Sequence, residues 1–137
     1  MPDYHCHALP AAQRRLLQLF YRQYHSRMKP SGEAALWVAR RDAIIGGMCL
    51  TPIDQGHWLT SLFVAPAERG QGVAAALIEA ALASVHGPVW LFCEPALAEF
   101  YEQLGFSMAA ALPQALGSRL QRYQRSKALV ALQRDPR

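Results

Sequence analysis

The residues with the most chemical content lie in one run, Leu62-Phe63-Val64-Ala65-Pro66-Ala67-Glu68-Arg69-Gly70-Gln71-Gly72-Val73-Ala74. Glycine carries no Cβ, so a ligand can approach its backbone N–H directly. If Gly72 opens a helix, the first-turn N–H groups have no partner inside that helix, and the helix dipole adds partial positive charge there. This is the chemistry of a phosphate cradle. It is not a nucleotide P-loop, because no Gly-Lys-Ser/Thr follows. It is not the dinucleotide fingerprint either, which would need glycine where Ala75 stands. Taken alone, Gly70-x-Gly72 fits a tight turn with close helix–sheet packing equally well.

Other candidates carry less. His5-Cys6-His7 puts two imidazoles on one face of an extended segment, but no third ligand is in view, so an ordinary first strand is preferred and no metal is expected. Cys6, Cys49 and Cys93 are odd in number and widely spaced, which indicates neither a disulfide framework nor a thiolate zinc site. Free thiols in a reducing, cytoplasmic setting are expected. Trp37, Trp58 and Trp90 fall in strand-like runs and read as core. Arg119-Leu120-Gln121-Arg122-Tyr123-Gln124-Arg125 has the basic–aromatic mix of a nucleic-acid contact. Seven residues without a nucleic-acid fold support a solvated helix or loop better.

The elements that must position these residues follow from periodicity. Between residues 9 and 24, Leu16, Leu17, Phe20 and Tyr24 recur at helical spacing, and Pro10 suits a first turn. Residues 35–39 and 43–50 read as a hairpin across Arg40-Arg41-Asp42, residues 51–56 as a turn, and residues 58–64 as a third strand ending at Pro66. Residues 72–85 are rich in Ala and Leu and read as a helix stopped by Gly87-Pro88. Residues 89–93 are continuously apolar, like a strand buried on both faces. Residues 96–104 read as helix, 106–110 and 128–132 as strands, and Gly117 as a separator before the Arg-rich segment. Antiparallel strands followed by β–α–β–α–β give a mixed α/β sheet with one parallel crossover.

Composition narrows the class. A chain of 137 residues, 52% hydrophobic and 18% charged, is globular, and one domain over residues 1–137 is expected. No charge-free apolar run approaches the ~18 residues of a membrane span, and the N-terminus lacks the pattern of a secretory signal, so neither membrane insertion nor export is expected. The net charge of +4 is unevenly spread. Residues 14–29 and 119–137 are basic and residues 42–118 acidic, which reads mainly as solvated faces and a tail rather than as a nucleic-acid surface.

Two segments together point to a family. Val64, Pro66, Arg69, Gly72 and Ala74 fill the fixed positions of the acyl-CoA-binding motif of the GNAT N-acyltransferases: a strand ending in V-x-P, then glutamine or arginine, two residues, glycine, one residue, and glycine or alanine. Downstream, Phe100-Tyr101-Glu102-Gln103-Leu104-Gly105-Phe106 resembles the family's F-Y-x-x-x-G-F signature. The resemblance spans roughly residues 35–106. It implies a mixed, mostly antiparallel sheet flanked by helices, with a splayed strand pair that takes acetyl-CoA, and transfer of its acetyl group to a primary amine of a small molecule, amino acid or protein. In that family the backbone of Phe63 and Val64 would meet the pantetheine arm, and the N–H groups of Arg69, Gly70, Gln71, Gly72, Val73 and Ala74 would hold the pyrophosphate. The Arg69 side chain would add charge or pair with Glu68 or solvent.

Amine attack on a thioester needs donors at the carbonyl oxygen, an acid for the leaving thiolate and a base for the amine. Tyr101 stands where the family places the acid, and a phenol of pKa ~10 is close enough to a thiol of ~8.5 to serve. The base has three candidates. Relatives often carry glutamate on the strand before the loop, whereas His57-Trp58-Leu59-Thr60-Ser61 has no carboxylate. His57 is the first substitute, Glu94 the second and a water chain the third. The missing carboxylate motivates an alternative, a catalytically silent acyl-CoA-binding sensor. The acceptor and the oligomeric state, a homodimer included, are left open.

Overall fold

In a computed structural model, residues 3–30 and 32–136 are described. The strands are β1 (His5–Leu9), β2 (Ala35–Arg40), β3 (Ile44–Ile53), β4 (Gly56–Val64), β5 (Val89–Cys93), β6 (Ser107–Met108) and β7 (Val130–Arg134). The helices are α1 (Arg14–Gln23), α2 (Val73–Leu82), α3 (Ala98–Glu102) and α4 (Gln114–Tyr123). Hydrogen bonding orders the strands β1-β2-β3-β4-β5-β7-β6, a mixed α/β, mostly antiparallel sheet whose described parallel pair is β4 with β5. By contact the residues fall into two compact units, 1–51 with 59–85 and 52–58 with 86–137.

In the first unit β1, β2 and β3 form an antiparallel meander, with Cys6 opposite Ala39 and Trp37 opposite Met48. Side chains alternate across a strand, so each face receives its own helix. Leu17, Phe20 and Tyr21 of α1 pack with Leu9, Leu36, Val38, Cys49 and Ala65. On a second cluster, Val73 of α2 packs with Ala39, Ile45 and Val64. Gly46 and Gly47 permit both approaches. A Cβ at Gly47 would stand 2.4 Å from Leu17 Cδ1, and one at Gly46 3.3 Å from Val73 Cγ1. The buried stripe of α1 is Leu17, Phe20 and Tyr21, with Tyr24 partly buried against it, whereas Leu16 is 41% exposed. Leu17, Phe20 and Tyr24 thus lie on the face that the helical spacing predicts, whereas Leu16 falls outside it and Tyr21 belongs to it.

In the second unit β5 pairs antiparallel with β7 along its whole length, Val89 opposite Arg134 and Cys93 opposite Val130, and β6 adds to β7's other side. Trp90, Leu91, Cys93, Phe106, Leu116, Ala131 and Leu132 are buried. The buried Arg134 donates from Nη1 to the Leu104 carbonyl at 3.1 Å. The first residues of β4 pair in parallel with β5, His57 opposite Val89 and Trp58 opposite Trp90. Gly56 is forced there by space: a Cβ would stand 2.2 Å from the Pro88 carbonyl oxygen.

Several boundaries differ from the sequence reading. Residues 51–53 extend β3, and the turn shrinks to Asp54 and Gln55, with Asp54 at φ 54. Gly117 is no separator but lies inside α4, where its Cβ position faces open space. Trp90 is core, whereas Trp37 and Trp58 are only half-buried. None of the three cysteines is in a disulfide, and His5 and His7 stack on β1 with ring centroids 5.2 Å apart. No group of three or more metal-ligating side chains occurs among the described residues. No helix there is long and apolar enough to cross a membrane.

Candidate functional site

The glycine-rich junction lies wholly in the first unit. β4 ends at Val64, and a short 3-10 turn over Pro66–Glu68 leads to Gly70 and Gly72, both at φ 79. Glycine adopts that left-handed backbone without the steric cost a Cβ brings. The Cβ positions of both glycines meet nothing within 4 Å. The backbone conformation, not tight packing, therefore requires glycine here. Gly72 caps α2 without any side-chain hydrogen bond, and the helix's first bond runs from the Ala76 N–H to the Gly72 carbonyl at 3.0 Å. For the N–H groups of Gly70, Gln71, Gly72, Val73, Ala74 and Ala75 no acceptor occurs among the described residues. A run of uncapped donors at a helix N-terminus, opening on free space, fits an anion.

The Arg69 side chain turns away from this cradle. Its Nε donates to the Val64 carbonyl at 2.9 Å, and its guanidinium lies 5.1 Å from the Phe63 ring centroid. Glu68, one of the alternatives for Arg69 alongside solvent or a charge contribution, instead accepts from Arg41 at 2.9 Å, and Arg41 also reaches Asp3. Arg69 thus ties the loop back to the end of β4 and joins Phe63, Val64 and the glycine loop into one piece. The sequence gives no sign of this tie, because the bond is to a backbone carbonyl.

The remaining candidates lie in the second unit. Tyr101 on α3 is half-buried, edge-on to Phe100 at 5.1 Å and Phe106 at 5.9 Å between centroids. Its hydroxyl has no hydrogen-bond partner among the described residues. Burial, with Cys93 adding to it, pushes its pKa up to about 12. Glu94 follows β5 directly and is exposed. His57 is half-buried, and its Nδ1 is buried without a hydrogen-bond partner. Burial lowers its pKa below the usual 6.5, with the His86 backbone pulling the other way, so the imidazole is neutral at pH 7. His57 stands beside Val89, at the opposite end of β5 from Cys93, about 13 Å away at 3.3 Å per residue, with Glu94 one residue further. The structure therefore gathers Phe63, Val64 and residues 69–74 in one unit. In the other it separates His57 from the strand end that Glu94 and Cys93 share.

The model of the Acetyltransferase (GNAT) domain matches residues 32–108. The chain belongs to the GNAT acetyltransferases. This family carries out acyl-CoA-dependent N-acetylation in general. Solved GNAT structures share the fold at low identity. A Staphylococcus aureus acetyltransferase of the GNAT family is 12% identical with a TM-score of 0.67, over 98% of this chain and 99% of that one. The Escherichia coli N-acetyltransferase YhbS, solved in complex with CoA, is 18% identical with a TM-score of 0.71, over 100% and 83%. Arabidopsis thaliana Naa50, solved with the bisubstrate analogue CoA-Ac-MVNAL, is 11% identical with a TM-score of 0.72, over 98% and 99%. No curated protein matches the chain.

Proposed function

We propose that this chain is an N-acetyltransferase that takes an acetyl group from acetyl-CoA and passes it to a primary amine. The observation that carries the reading is the run of uncapped N–H groups from Gly70 to Ala75, opened by two left-handed glycines whose Cβ positions face free space. Those donors suit a pyrophosphate, and the end of β4 at Phe63 and Val64, braced by Arg69, suits the pantetheine arm.

Acetyl-CoA would supply the acyl thioester. The amine nitrogen bonds to the carbonyl carbon as the carbon–sulfur bond breaks, and sulfur leaves with the electron pair. Backbone N–H groups of β4 stabilise the charge on the carbonyl oxygen without reorganising. By the motif resemblance alone, Tyr101 would be the hydrogen-bond donor to the departing sulfur. At about 12 its pKa exceeds that of a thiol near 8.5, so complete proton transfer would be uphill by roughly 5 kcal/mol. The phenol therefore stabilises the thiolate mainly by donating a hydrogen bond.

For the amine's proton we assign His57, working through water because of its place along β5. Its ring, kept neutral at pH 7 by burial, can accept a proton near the working pH. Titration calorimetry with CoA and thiol release from acetyl-CoA across a panel of amines and peptides test the whole reading. A flat trace with CoA refutes it. A second reading, a silent acyl-CoA-binding module, is favoured by the absence of any carboxylate on β4. It predicts CoA binding with no thiol release for any acceptor.

A further inference from the structure

Inside β4, Ser61 holds φ 59, a left-handed backbone that a residue with a Cβ adopts only when its surroundings hold it there. The surroundings here are specific. The Tyr21 hydroxyl donates to the Ser61 carbonyl at 2.6 Å. Ser61 Oγ donates to the Lys29 carbonyl at 3.3 Å, and Arg14 donates to the neighbouring Pro30 carbonyl, fixing the same loop. Tyr21 is 1% exposed within the α1 core, so its hydroxyl has little freedom to move. Two residues further along β4, Phe63 packs edge-on to Phe20 at 5.9 Å, while Arg69 lies over its ring and bonds the Val64 carbonyl. A left-handed residue within a strand turns the backbone that follows it, so the conformation of Ser61 sets where the peptide groups of Phe63 and Val64 point.

We propose that Tyr21 is a positioning residue for the acyl donor: its hydroxyl holds Ser61 left-handed and so aims the Phe63 and Val64 backbone at the pantetheine arm. This rests on the acyl-CoA reading above. Tyr21 touches neither donor nor acceptor, and nothing in the GNAT motifs points to it.

The test is calorimetry on the whole chain with two probes, CoA and 3′-phosphoadenosine 5′-diphosphate, which is CoA without its pantetheine arm. In Tyr21→Phe, Ser61 is free to return to the extended region. The competent fraction falls, and apparent affinity falls with it. The Kd for CoA should rise at least about threefold, while the Kd for the pantetheine-free probe stays unchanged, because Gly70 to Ala74 are untouched. Glycine accepts a positive φ freely, so adding Ser61→Gly to Tyr21→Phe should restore CoA affinity although the hydroxyl is still missing. Ser61→Val, with Tyr21 intact, should reproduce the selective loss even if Tyr21→Phe folds poorly, because a β-branched residue resists the left-handed region. The proposal is overturned if folded Tyr21→Phe binds CoA like the parent, if both probes weaken together, or if Ser61→Gly gives no rescue. A parent chain that binds neither probe would overturn the acyl-CoA reading, and the role of Tyr21 with it. A parent that binds both, with variants indistinguishable from it, would overturn the role of Tyr21 alone.

Discussion

Replacing Tyr101 with Phe removes one oxygen from a ring wedged between Phe100 and Phe106. The hydroxyl bonds no other described group, so the substitution breaks no protein–protein hydrogen bond, and thermal stability at pH 7 should stay within about 0.5 kcal/mol of the parent. CoA affinity should hold as well. The loss should fall on turnover alone. A hydrogen bond to a charged group contributes about 1.5–3 kcal/mol, so kcat should drop by roughly 10- to 150-fold, less than a full general acid could supply. Thiol release from acetyl-CoA gives kcat, calorimetry gives the affinity and a melt gives the stability. A kcat within threefold of the parent would refute the role assigned to Tyr101, and so would a drop matched by an equal loss of CoA affinity. The same burial gives an independent check. The folded-state pKa of Tyr101, about 12, lies above the unfolded value of 10. Between pH 10 and 12 the unfolded chain therefore releases a proton that the folded chain keeps, and stability falls as pH rises through that window. Tyr101→Phe should lose less stability there than the parent.

Substituting His57 with Ala should lower the rate several-fold at pH 7, where a primary amine is about 0.04% neutral, and the deficit should shrink as pH approaches 10, with thiol release followed across pH. Glu94→Gln should leave that profile unchanged, and a profile that moves with Glu94 instead would reassign the base. Gly72→Ala puts a Cβ on a residue at φ 79 and should cost about 1 kcal/mol in stability with a weaker Kd for CoA, read by melt and calorimetry. Leu17→Ala empties the space that Gly47 keeps open for a fully buried side chain and should cost about 2–5 kcal/mol in denaturant unfolding.

What the sequence disclosed depends on whether a signal is local. The 89–93 strand matches β5 end for end because a continuously apolar run bounded by Gly87-Pro88 and Pro95 has few alternatives. The α2 start was legible because glycine is the residue for the left-handed cap found at Gly72. The order of the last three strands was not legible. β7 inserts between β5 and β6, a nonlocal pairing that periodicity does not encode. α4 was only half seen, because Gly117 read as a separator, whereas it lies within the helix, which starts after Pro113 as N-cap and is anchored by the buried Leu116. Tertiary packing overrode propensity there.

The candidate site divides along the same line. Its glycines speak through their type, but the contacts that hold the end of β4 do not, because each ends on a backbone carbonyl: Arg69 on Val64, Tyr21 on Ser61, Ser61 on Lys29. Any residue at positions 61 and 64 offers that carbonyl, so neither spacing nor residue type marks the partner. The donors are therefore the residues to test. Changing Val64 to another side chain leaves its carbonyl in place, whereas changing Arg69, Tyr21 or Ser61 removes a donor. If the end of β4 works as the fixed wall of an acyl-donor site, its sensitivity should lie with Arg69, Tyr21 and the backbone conformation of Ser61, and a deletion of the Val64 side chain should report only the packing it shares with Val73 and Ile45.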